Sequence, residues 1–268
     1  VVAHTFEYAK LLAFASAGAV LVDLIQFLPF DLSIIRGDRK RRWPQLAYFG
    51  AKLTWIVYII LNLSLLFTPT EINCQGMLIA IELCMGLLAI SCSTLLAART
   101  VCVFQAGGNA RRLVAIIVSV SVAGMAAAWF EGVADVKAAW LAEAAAPWST
   151  GACSFLSVKR TYMVKYLLTV YVDILVFVLL LIGTCKMGTS RIGEVLVFQG
   201  ACYLLVTIPN IIIAVLTSMQ LSPVISLIGA VPSSAISLMA ATRLYVYLAE
   251  AAAVQPSGVS TSQVSSTI

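Results

Sequence analysis

The chain has 268 residues, 61% of them hydrophobic and 11% charged, with a mean hydropathy of +0.99. So large an apolar share cannot be hidden in one water-soluble core, and the bilayer has to act as solvent. The formal charge of +5 sits in short loops between apolar runs, which points to membrane topology rather than a nucleic-acid-binding face.

Several windows reach the roughly 20 apolar residues that a helix needs to cross a hydrocarbon core. They are apolar on every side, whereas a barrel strand would alternate apolar and polar, so an all-α bundle is expected and a barrel is not. In chain order the predicted spans are 11–30, 46–67, 75–98, 113–132, 163–185, 195–217 and 222–248. No charged leader with a small-residue cleavage site precedes the first, which is therefore expected to stay. The gap between the last two, Ser218 to Pro223, makes them antiparallel neighbours. Residues 1–250 are read as one seven-helix transmembrane domain. Residues 251–268, Ser/Thr-rich and without an apolar period, are read as a disordered cytoplasmic tail.

Cations set the orientation. Arg36, Arg39, Lys40, Arg41 and Arg42 follow span one, Arg99, Arg111 and Arg112 follow span three, and Lys186 and Arg191 follow span five. Lys10, Lys137, Lys159, Arg160 and Lys165 fall on the opposite side among several acids. The bias places the N-terminus outside and the C-terminus in the cytoplasm. Of seven cysteines only Cys74 and Cys153 then lie outside, where an oxidising compartment favours a disulfide between them. The other five read as small packing residues, and with His4 as the one histidine no metal site is expected.

Asp23, Glu82, Glu131 and Asp173 lie inside spans, where an ionisable group is costly and has to face the bundle interior or water. Glu82 and Asp173 are the deepest. They are candidate ligand-binding residues with Asn210, or else structural glue hydrogen-bonded to residues such as Ser91, Tyr171 or Asn62. Pro209 and Pro232 are expected to kink spans six and seven, as hinges or as ordinary kinks. Arg99 is read as a snorkelling anchor, with a switch arginine as the alternative, and Arg243 as an inner-interface anchor. The stretch Ala134 to Pro147 carries Val136, Trp140, Leu141 and Ala144 at helical spacing and predicts a short amphipathic helix on the outer surface.

The run from Arg42 to Lys52 has Trp43, then Tyr48, then Lys52 four residues beyond, and Cys74 opens span three. In this pattern and in its seven-span order the chain resembles a group of uncharacterised seven-helix membrane proteins of basidiomycete fungi. The Arg-Gly-Asp-Arg-Lys-Arg run before Trp43 departs from the acidic-basic run usual in that group. The resemblance implies a seven-helix fold and no chemistry.

Three functions are compatible with this reading. The first is a receptor-like bundle of unknown ligand in the plasma membrane or another secretory-pathway membrane. The second is a structural or accessory protein that assembles with itself or a larger membrane complex. The third is a small transporter or intramembrane enzyme using the buried carboxyls. No catalytic residue is assigned, no cofactor is expected, and the lipid bilayer is the expected partner. A retinal protein is disfavoured because span seven, from Ser222 to Leu248, has no lysine for a Schiff base.

Overall fold

The computed structural model describes residues 2–38, 43–68, 71–104, 108–133, 136–141, 152–158, 162–186, 208, 212 and 223–254. The helices are α1 (Val2–Gln26), α2 (Leu28–Ile35), α3 (Pro44–Phe67), α4 (Cys74–Val103), α5 (Gly108–Val133), α6 (Tyr162–Lys186) and α7 (Pro223–Val254). Strands β1 (Val136–Leu141) and β2 (Ala152–Val158) form an antiparallel pair between α5 and α6. Most of predicted span six and Cys202 lie outside the described residues.

Local chemistry sets the helix ends. Pro29 opens α2 and has no N–H to continue α1, so the two helices meet at 53° across Phe27. Pro44 sits at the first position of α3, where its missing donor costs nothing. At the far end Thr68 is extended, as the residue before Pro69 prefers. Asn73 caps α4 by accepting a 3.0 Å bond from Gly76 N.

Four helices, α3, α4, α5 and α6, are long and apolar enough to cross a membrane, or five spans if the bent α1–α2 pair counts as one. The chain is thus a helical protein suited to a membrane. Helix α4 is central: half of its apolar window is buried inside the protein, against 22% for the peripheral α5. Ile81, Leu88 and Leu95 of α4, Met125 of α5, Val172 of α6 and Leu238 of α7 are all less than 2% exposed. The large exposed side chains, among them Leu53, Ile60, Ile116 and Val120, face outward as lipid contacts would.

Close approach depends on glycine where α6 passes the end of α4. A Cβ on Gly183 of α6 would fall 2.6 Å from Val103 Cγ1 and 2.8 Å from Phe104 Cε2, at the end of α4. Gly183→Ala is expected to destabilise the bundle by about 1–3 kcal/mol through overpacking. Gly18→Ala, with nothing within 4 Å of the new carbon, serves as the neutral control. Unfolding midpoints of the two variants check this, and equal midpoints would refute it.

Contacts fix helix direction. Glu82, Ser93 and Thr100 of α4 meet Lys165, Asp173 and Val176 of α6 in ascending order, so α4 and α6 are parallel. Tyr48 of α3 meets Tyr245, and Trp55 meets Ser234, so α3 and α7 are antiparallel. Helices α3 and α4 are joined by residues 68–73 and are antiparallel neighbours, which makes α7 parallel to α4 and α6.

Two expectations are corrected here. The stretch Ala134 to Pro147 contains a strand, not an amphipathic helix: Val136–Leu141 pairs with Ala152–Val158, with Trp140 opposite Cys153. Alanine-rich composition favours a helix locally, but the Cys74–Cys153 disulfide draws β2 alongside β1, and Gln75 Oε1 accepts a 2.8 Å bond from Ala138 N. Second, α7, with Pro232 inside it, runs to Val254, four residues into the expected tail. Beside the proline, Ser234 Oγ donates to Val231 O at 2.7 Å.

Candidate functional site

Each buried carboxylate that the structure describes sits at a helix crossing, and what lies opposite it differs. Three face a cation. Asp23 of α1, 2% exposed, accepts from Arg243 Nε of α7 at 2.6 Å. Asp31 of α2 accepts from Tyr48 OH at 2.7 Å and from Lys52 Nζ at 2.6 Å, and that ammonium also lies 4.4 Å from the Tyr48 ring centroid. Tyr48 and Lys52, which carried the family resemblance, thus act together as the clasp that holds α2 against α3.

Glu82 makes the most enclosed pair. Its two carboxylate oxygens accept from Tyr162 OH and from Lys165 Nζ of α6. The Lys165 ammonium also lies 3.5 Å from the Tyr162 ring centroid, 4.5 Å from Trp129 and 5.3 Å from Tyr166. Lys165 is 1% exposed. Lys165, counted among the cations of the outer side, lies in the first turn of α6 and turns inward. Ion pairing and three aromatic faces offset the cost of removing an ammonium from water. Both carboxylate oxygens of Glu82 are thus engaged.

Asp173 differs. It lies two helical turns further along α6, about 12 Å from Lys165 at 1.5 Å per residue. It is 3% exposed, and Ser93 Oγ of α4 donates to its Oδ1 at 3.0 Å. Among the described residues no lysine or arginine pairs with it. It borders a cavity of about 30 Å³ that is also lined by Cys92, Ser93, Thr169, Ser234 and Ser237, with Trp129 and Tyr166 on the Glu82 side. Such a volume has room for about two water molecules.

Lys165, Thr169 and Asp173 recur every four residues, so α6 presents one polar stripe to α4 and α5. Thr169 Oγ1 links the two centres: it accepts from Trp129 Nε1 at 3.0 Å and donates to Lys165 O at 2.8 Å. The partners expected from sequence are different ones. Asn62 Nδ2 donates to Tyr58 O, Tyr171 is 57% exposed, and Ser91 lies by Gly50. Glu131 is exposed, and Arg99 is 8% exposed, so it is enclosed by protein rather than snorkelling outward; α4 continues one turn past it to Val103.

Cys74 and Cys153 are disulfide-bonded, with Cα atoms 5.6 Å apart. Cys92 is buried and packs as expected, but Cys102 and Cys185 are exposed. Asn210 and Pro209 lie outside the described residues. The described residues include no group of three or more His, Cys, Asp or Glu able to hold a metal ion. Asp31, Lys52, Tyr162 and Lys165 were missed as site residues. The lysines four residues beyond Tyr48 and three beyond Tyr162 were the available signal, since a lysine one turn from a tyrosine in an apolar helix implies an inward-facing acid. No protein-family model matches the chain, and no curated protein matches it.

Proposed function

We propose that this chain is a receptor-like integral membrane protein with seven crossings, its N-terminus outside and its C-terminus in the cytoplasm. The observation that carries the reading is the common direction of α6 and α7. The end of α6 and the start of α7 then lie at opposite faces of the bundle, as the seven-span order expects of its fifth and seventh spans. With α1–α2 as one crossing, α3 to α6 and α7 bring the count to six, and the span expected over 195–217, outside the described residues, completes the seven of this reading. The sides agree with one another: the disulfide, at home in an oxidising compartment, lies at the opposite end from Arg36, Arg111 and Arg112.

In this reading the hairpin stapled to α4 forms part of the outer surface, and the α4–α6 polar contacts connect it to the cytoplasmic end. A carboxyl-relay transporter fits less well, because Glu82 is held by both Lys165 and Tyr162. The exposed thiols Cys102 and Cys185, near the cytoplasmic ends of α4 and α6, provide the test. Spin labels are placed on them in the full chain with Cys84 and Cys202 changed to serine, and the distance distribution is measured in nanodiscs. Replacing the outer ion pair by Glu82→Gln with Lys165→Met is expected to shift or broaden that distribution. An unchanged distribution would sink the receptor reading in favour of a structural role.

A further inference from the structure

Four carboxylates are buried in the described bundle, three have a resident cation, and the fourth has a hydroxyl and a cavity. An uncompensated carboxylate in the membrane interior is costly, so Asp173 either keeps a proton or draws a cation from elsewhere, and the oxygens around it favour a cation. We infer that the Asp173 cavity is a binding site for a small monovalent cation of sodium size, held by Asp173 and serine hydroxyls of α4 and α7 with its own water. The site stands on this geometry and does not depend on the receptor reading.

The donor set matches that ligand. Ser93 donates its proton to Asp173 Oδ1 and keeps its lone pairs for a cation. Ser234 Oγ donates to Val231 O and accepts from Trp55 Nε1 at 3.3 Å, which leaves one lone pair. Ser237 lines the same cavity, and its backbone carbonyl accepts from Cys92 Sγ. One carboxylate supplies a single negative charge, whereas calcium and magnesium sites draw on several anionic oxygens or phosphates. The volume admits an ion with about one water and no organic ammonium of any size. Because the oxygens come from α4, α6 and α7, an ion there ties three helices together and stabilises the folded state by mass action.

The test uses the full chain in nanodiscs at fixed pH and constant ionic strength, with sodium chloride exchanged for N-methylglucamine chloride and the unfolding midpoint followed by tryptophan fluorescence. The midpoint is expected to rise by roughly 5 °C as sodium reaches about 100 times its dissociation constant. In Asp173→Asn the rise disappears. Ser93→Ala keeps the carboxyl and covers the case in which Asp173→Asn does not fold; it is expected to need about tenfold more sodium for the same rise. A midpoint indifferent to sodium, an equal response to N-methylglucamine, or a sodium response that persists in Asp173→Asn overturns the proposal. A midpoint that follows pH but not sodium assigns the charge to a proton and overturns it equally.

Discussion

Lys165→Met is expected to lower the stability of the folded bundle by about 3–5 kcal/mol, the largest effect of any single substitution proposed for this chain. The reason is what remains. Glu82 would keep one Tyr162 hydroxyl and lose its countercharge, at a position where Lys165 is 1% and Glu82 5% exposed and water cannot replace it. The lysine also fills space: its Cδ lies 2.9 Å from where a Cβ on Gly132 would sit, and its ammonium faces three aromatic rings. Methionine matches the length of the stem, so the change removes charge more than volume. Adding Glu82→Gln should therefore restore most of the loss, because the amide still accepts from Tyr162 and no buried charge is left over. Unfolding midpoints and monodisperse yield in detergent, measured for both single variants and the double, give the coupling. Additive losses would show that the two side chains stabilise the protein separately, and the ion pair would lose its place in this account.

The membrane class and helix positions were legible because burying apolar residues in lipid leaves a composition signal that needs no partner. Spans 46–67, 75–98, 113–132 and 163–185 each fall inside a described helix, and the errors lie at the ends, where Asn73 and Pro44 set caps that hydropathy does not report. Glu82 and Asp173 were singled out correctly as buried because charge at membrane depth is conspicuous. Their partners were not legible. Ser93 is eighty residues from Asp173 and Lys165 eighty-three from Glu82, and which faces meet depends on helix rotation and direction, which one sequence does not encode locally. The inward turn of Lys165 was not legible for a related reason: a lysine near a span end reads as an interfacial cation unless the acid opposite it is known. The β1–β2 pair was hidden by alanines whose helical preference, a few tenths of a kcal/mol per residue, yields to a covalent tether.

That tether carries the second large effect. Cys74→Ser and Cys153→Ser are each expected to lower stability by about 2–4 kcal/mol, and the double variant by no more than either alone, since one bond is lost in every case. The bridge closes a separation of 79 residues, for which chain-entropy arguments give about 4.5 kcal/mol in a free chain. The expectation is set lower because α4 and α5, held across a bilayer, already confine the ends in the unfolded ensemble. Much of the loss should be local. Without the bridge, β2 is held by its ladder with β1 and a slight contact with α7, and a two-stranded hairpin with so little support is marginal in water. Hydrogen exchange at β1 and β2 should therefore accelerate in both single variants, while exchange in the α4–α6 core, around Ser93 and Asp173, changes less. If exchange around Asp173 instead rises as much as in the hairpin, the staple supports the whole bundle and the hairpin is not a separable unit.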